Sequence, residues 1–109
     1  LSTTARKIIA DPKNIILVSA ASAWEISIKV KRGKLPLAEA FERDFIQTTE
    51  VAGYTLLPIT VENALRAGRL AGAHRDPFDR LIAAQALADD VPIISLDLKL
   101  DAFGVRRIW

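Results

Sequence analysis

Ile15-Ile16-Leu17-Val18-Ser19-Ala20-Ala21-Ser22-Ala23-Trp24-Glu25-Ile26 is the stretch on which the fold turns. Its first four residues form a continuous apolar run, rich in β-branched side chains and led in by Asn14. Such a run, bounded by turn signals, predicts a strand over residues 15–18 that is buried on both faces. Ser19 can then cap a helix over 20–32, and Gly33 stands where a left-handed end residue belongs. Small or apolar residues occupy nearly every face of that helix, which predicts burial all round.

The same alternation continues on both sides. Upstream, Ser2, Thr3 and Thr4 offer caps for a short helix over 5–10, stopped by Asp11-Pro12. Downstream, Pro36 opens a helical stretch to about residue 50, with Leu37, Phe41 and Phe45 at four-residue spacing. Ala52-Gly53 breaks it. Residues 54–59 read as a second strand, and Thr60 caps a helix over 61–70. Asp76-Pro77 starts the longest helix, through Asp89. Residues 92–95 form another buried strand, with Pro92 tolerated at its first position. A turn over 98–103 leads to a final strand over 105–109. Apolar strands alternating with helices predict an α/β domain with a mostly parallel sheet flanked by helices. No repeat or linker interrupts it, so one domain is expected over 1–109.

Composition narrows the chemistry. At 109 residues, 50% apolar and 26% charged, the chain has the makeup of one globular core. No apolar run approaches the roughly 20 residues needed to cross a bilayer. Cysteine is absent and one histidine is present, which excludes disulfides, thiolate sites and histidine-rich zinc sites. Any metal held here is a hard ion on oxygen ligands: magnesium, manganese or calcium. The net charge of +2 is a weak pull toward polyanions. Methionine is also absent and the chain opens Leu1-Ser2-Thr3, so its start is read as internal.

Most of the thirteen acids belong on a solvated surface. Glu25 does not fit that pattern, because an ionised acid in a greasy helix needs a partner or a cation; the plainer alternatives are a carboxylate in the first turns favoured by the helix dipole or a pair with Lys29 one turn on. Asp97 follows Ile93-Ile94-Ser95-Leu96, and ligand sites in open α/β sheets gather just beyond the carboxyl ends of strands. An ordinary turn or cap residue is the competing reading. Asp76 and Asp79 lie in Arg75-Asp76-Pro77-Phe78-Asp79-Arg80, where Asp76 reads as a helix cap and Asp79 as its capping-box partner. Asp79 could cap and still ligate. Acids drawn from separate strand ends and helix starts suit a pair of divalent ions roughly 4 Å apart, a known device for phosphodiester hydrolysis. Ser22 and Ser95 could add hydroxyl ligands. Lys29, Lys31, Arg32 and Lys34 form a basic run, and Arg75 and Arg80 flank the aspartates. A cationic rim of this kind suits RNA, though for any single lysine a solvated basic helix end favoured by the dipole is the preferred reading. Trp24, Phe41, Phe45 and Phe78 read as core, Trp109 as packing, and the lone His74 as structural or solvated.

Three of these segments resemble motifs of PIN-domain toxins, the VapC type of toxin–antitoxin system. Val18-Ser19-Ala20-Ala21-Ser22-Ala23-Trp24-Glu25-Ile26 with Lys29 and Gly33-Lys34-Leu35 is similar to the second acidic motif. The third motif resembles residues 74–86, His74-Arg75-Asp76-Pro77-Phe78-Asp79-Arg80 onward, and the fourth resembles Ile93-Ile94-Ser95-Leu96-Asp97 with Phe103-Gly104-Val105. The resemblance runs the length of the chain in order. It implies a PIN-like three-layer α/β domain and a magnesium- or manganese-dependent endoribonuclease. It also implies a cytoplasmic protein, a homodimer, and inhibition by a cognate antitoxin. The family's acids map to Glu25, Asp79 and Asp97, with Asp76 at a frequently acidic companion position. Lys29, Arg32, Arg75 and Arg80 are the expected RNA contacts. Such domains also begin with a strand carrying a further aspartate, which nothing before Ile15 resembles. The expectation is therefore a longer protein, or an inactive chain with unpaired strand edges.

Two other readings compete. A binding-only module would engage an antitoxin or a twin subunit through apolar helices without cutting RNA. A flavodoxin-like phosphoacceptor would need an aspartate ending an early strand, where this chain has Ser19.

Overall fold

The computed structural model describes residues 1–33, 39–72 and 75–109. Lys34, Pro36 and Leu37 of the basic run and third helix, and His74, lie outside the described residues. The chain forms two compact units, Ile15–Pro58 and Leu1–Asn14 with Ile59–Trp109.

In the first unit, strand β1 (Leu17–Ser19) runs straight into helix α2 (Ala20–Lys31). Ser19 makes the junction as expected: its hydroxyl accepts from the Ala21 amide at 3.0 Å, satisfying one of the free donors at a helix start. The helix ends at Arg32, and Gly33 follows with φ 71°, a backbone shape that favours glycine. The single helix expected over 36–50 is instead two, α3 (Glu39–Arg43) and α4 (Phe45–Val51). They part at Asp44, whose φ of −106° and ψ of 23° leave the helical region. Phe41 and Phe45 meet edge to face across the break, with ring centroids 5.4 Å apart. Thr49, buried inside α4, donates its hydroxyl proton toward the Phe45 carbonyl (2.8 Å) and the Ile46 carbonyl (3.0 Å). Strand β2 (Thr55–Leu57) then pairs parallel with β1, Leu17 opposite Thr55 and Ser19 opposite Leu57.

Burial here departs from expectation. Leu17 and Val18 are half-buried and Ile15 is 79% exposed, so the run is not covered on both faces. Two strands with α2 against one and α4 against the other cannot enclose both faces of a sheet. Helix α2 is likewise not buried all round: Ala21 is its buried residue, and Trp24 is 51% exposed. Phe41 also stands in solvent, whereas Phe45 is buried.

The second unit opens with α1 (Thr3–Ala10), capped by Ser2, whose hydroxyl accepts from the Ala5 amide. Helix α5 (Val61–Arg69) starts on a reciprocal capping box between Thr60 and Asn63. It packs on α6 (Pro77–Asp89), whose ends fall where the sequence predicts them. Gln85, on α6 and almost fully buried, donates to Asn63 Oδ1 at 3.4 Å. Strand β3 (Ile93–Ile94) and strand β4 (Arg107–Ile108) form a second parallel pair. Between them a 3-10 helix (Leu98–Phe103) ends at Gly104, φ 78°. Its Leu100 and Phe103 pack on Ala83 of α6, with Leu70, Ile93 and Val105 around them. The two strands are half-buried, and Leu96 and Trp109 are exposed.

Candidate functional site

The acids of the second unit sit at the ends of packed elements. Asp76 is the N-cap of α6: its Oδ1 accepts from the Phe78 amide (2.9 Å) and the Asp79 amide (3.3 Å), and Pro77 takes the first helical position, where no amide is missed. Asp79 lies half-buried in the first turn. Asp97 directly follows β3 and caps the 3-10 helix, its Oδ1 accepting from Lys99 at 3.0 Å while its own amide donates to Ser95 Oγ at 3.1 Å. The chain reverses between α6 and β3 over residues 90–92, and the two elements pack together. Asp79 lies one turn before Ala83 on α6 and Asp97 caps the 3-10 helix that carries Leu100 and Phe103; Ala83, Leu100 and Phe103 form one apolar cluster.

Arg80 is half-buried and turned to the protein. Its Nε donates to the Ala67 carbonyl at 3.0 Å, its Nη2 donates to the Leu70 carbonyl, and its guanidinium carbon lies 5.5 Å from the centroid of the Phe103 ring. Arg75 is exposed. A second arginine, Arg107, joins Asp101 (Nε to Oδ1, 2.9 Å) and the Ser95 carbonyl (3.1 Å), fastening the end of β3 to the 3-10 helix. Nothing in the residue spacing marks either arginine contact, because the carbonyls they meet belong to backbone of any sequence.

In the other unit, Glu25 is half-buried on α2, and its Oε2 lies 3.4 Å from Lys29 Nζ. The plainer sequence reading of this pair is thus observed. Exposed i,i+4 pairs contribute about 0.3–0.5 kcal/mol, so the contact would yield readily to a divalent cation. Arg32 is exposed at the C-terminal end of the same helix. Beside α2 runs an open groove of about 620 Å³, lined by Trp24, Ser27, Phe45 and Ile46 with Glu42, Asp44 and Glu50 among its acids. Ser27 donates to Glu42 at 3.2 Å within it. Reading Trp24 as core hid this groove from sequence reasoning.

Carboxylate and hydroxyl oxygens are the donors on offer, which fits a hard cation by chemistry. Capping engages Oδ1 of Asp97 and Oδ1 of Asp76, and the second oxygen of each has no hydrogen bond among the described residues. Among the described residues no three acidic or imidazole side chains are grouped closely enough to hold a metal ion.

Comparison with known proteins bears on these motifs. The family model described as PIN domain matches residues 1–105. Ribonuclease VapC16 of Mycobacterium tuberculosis (strain ATCC 25618 / H37Rv) is 59% identical over 34 residues, 31% of this chain. The matched stretch spans 24% of that protein's length. No solved structure matches the chain.

Proposed function

This chain belongs to the PIN-domain family, and from that premise we propose that it is of the VapC type, the endoribonuclease toxin of a toxin–antitoxin pair. The reading takes residues 1–109 as one PIN-like domain that hydrolyses RNA phosphodiesters with Mg2+ or Mn2+. Glu25, Asp79 and Asp97 are its catalytic metal ligands, with Asp76 as a companion. A cognate antitoxin, pairing with a second copy, and a cytoplasmic location belong to the same proposal. The observation that supports it is the PIN-domain match over residues 1–105, within which Asp79 falls in the first turn of α6 and Asp97 directly caps the 3-10 helix after β3.

A bound divalent ion would supply Lewis-acid stabilisation of the phosphate and a water of lowered pKa. The chain's own residues set the stage for it. The amides that Asp76 accepts fix the first turn of α6, and with it the backbone that carries Asp79. The cap made by Asp97 fixes its own side chain against the 3-10 helix. Lys29, Arg32 and Arg75, all exposed, are the proposed phosphate contacts. No helix among the described residues is long and apolar enough to cross a membrane.

Incubating the purified chain with RNA, with and without Mg2+ or Mn2+, tests the reading; metal-dependent cleavage lost on Asp79→Asn is the expected result. Cleavage that survives both chelation and Asp79→Asn would rule it out.

A second reading, a module that binds a partner without cutting RNA, is favoured by the groove beside Trp24. Exposed indole and Ile46 within an acidic surround suit a basic segment with an apolar face. Antitoxin capture lost on Trp24→Ala, in a protein that shows no cleavage, would decide for it.

A further inference from the structure

We infer that Arg80 is a positioning residue for Asp79 and Asp97 and makes no contact with RNA; the inference rests on the nuclease reading above. Arg80 joins three elements at one point. Its Nε and Nη2 donate to the carbonyls of Ala67 and Leu70, at the C-terminal end of α5. Carbonyls there have no partner within their own helix, so a cation that meets two of them closes the helix end. The carbon of the same guanidinium lies over the Phe103 ring, 5.5 Å from its centroid. Phe103 is the last residue of the 3-10 helix that Asp97 caps. Arg80 itself lies in the first turn of α6, one residue after Asp79. One side chain therefore ties the turn carrying Asp79 to the helix begun by Asp97, with the end of α5 as anchor.

This geometry requires arginine. A planar fork can serve two carbonyls and still stack on a ring, whereas an ammonium offers one compact charge. A guanidinium held this way is turned from solvent toward backbone, the opposite of what a phosphate contact needs. Arg75, exposed at the mouth of the same helix, supplies the contrast.

The test compares Arg80→Ala, Arg80→Lys and Arg75→Ala with the unaltered chain in steady-state cleavage of RNA with Mg2+. Arg80→Ala is expected to lower kcat about 10- to 100-fold, the scale of an ångström-sized misplacement, with KM and the salt dependence of RNA binding unchanged. Arg80→Lys restores only part of that loss. Arg75→Ala raises KM and reduces the salt slope by about 1. If Arg80→Ala instead raises KM and flattens the salt dependence while kcat holds, Arg80 touches RNA and the inference is overturned. Hydrogen exchange of the free protein gives a readout that needs no activity. Amides over 97–104 are expected to exchange faster in Arg80→Ala, with Arg80→Lys carrying the measurement should the alanine variant not fold. Unchanged exchange overturns the inference. An unaltered chain that cuts no RNA would sink the nuclease reading alone, leaving exchange to decide whether Arg80 joins the elements.

Discussion

Asp79 and Asp76 stand three residues apart and have different tasks, and substitution separates them. Asp79→Asn keeps size and removes charge; in the proposed nuclease it lowers cleavage by at least about 100-fold, since metal-assisted charge stabilisation is a matter of several kcal/mol. Calorimetric titration with Mn2+ checks it: binding undiminished in the variant would remove Asp79 from the ligand set. Asp76 accepts from two amides at the start of α6. Asp76→Ala should therefore cost about 1 kcal/mol of stability, while Asp76→Asn, an equally good cap, should cost almost none. Thermal melts of the two variants decide this. Equal melting temperatures would mean the cap contributes nothing. Glu25 is a different case, because Lys29 one turn on already pairs with it at 3.4 Å.

At the scale of elements, legibility followed local chemistry. The bounds of α6 could be read because Asp76-Pro77 marks its start by hydrogen bonding and ring geometry, both encoded in adjacent residues. The Ser19 junction between β1 and α2 was legible for the same reason. The break at Asp44 was not, because the periodic Phe41 and Phe45 remain neighbours through ring contact on either side of it. Burial of the strands was misjudged because an apolar run reports affinity for a core, whereas burial depends on what covers it. The cap positions of Asp76 and Asp97 were legible from chain position, but the contacts of Arg80 and Arg107 were not. The end of α6 offers a prediction of its own. Asp90 sits there with φ 52°, the one described non-glycine residue in the left-handed region, and pairs with Arg106 in full solvent. Asp90→Gly should stabilise the chain by about 0.5–1 kcal/mol, relief of the left-handed strain outweighing glycine's entropy. Denaturant titration checks the sign, and a lower midpoint in the variant would refute it.

Taken whole, the chain leaves much apolar surface uncovered. Ile15 is 79% exposed before β1 and Leu96 65% exposed after β3, each at the end of a two-stranded ladder with open edges among the described residues. Unpaired strand edges beside apolar side chains template association. Sedimentation velocity over a range of concentrations should show self-association, which Ile15→Lys and Leu96→Lys together weaken. A single species at every concentration would exclude it. Among the described residues the buried set is dominated by alanines, with no large side chain completely enclosed, so little transfer free energy is gained per buried residue. The half-exposed indole of Trp24 has one practical consequence. Tryptophan in water emits to the red and is open to collisional quenchers, so in a Trp109→Phe background this ring becomes a built-in optical probe of its groove. Whatever settles there should shift the emission to the blue and shield it from acrylamide, reporting occupancy without a label.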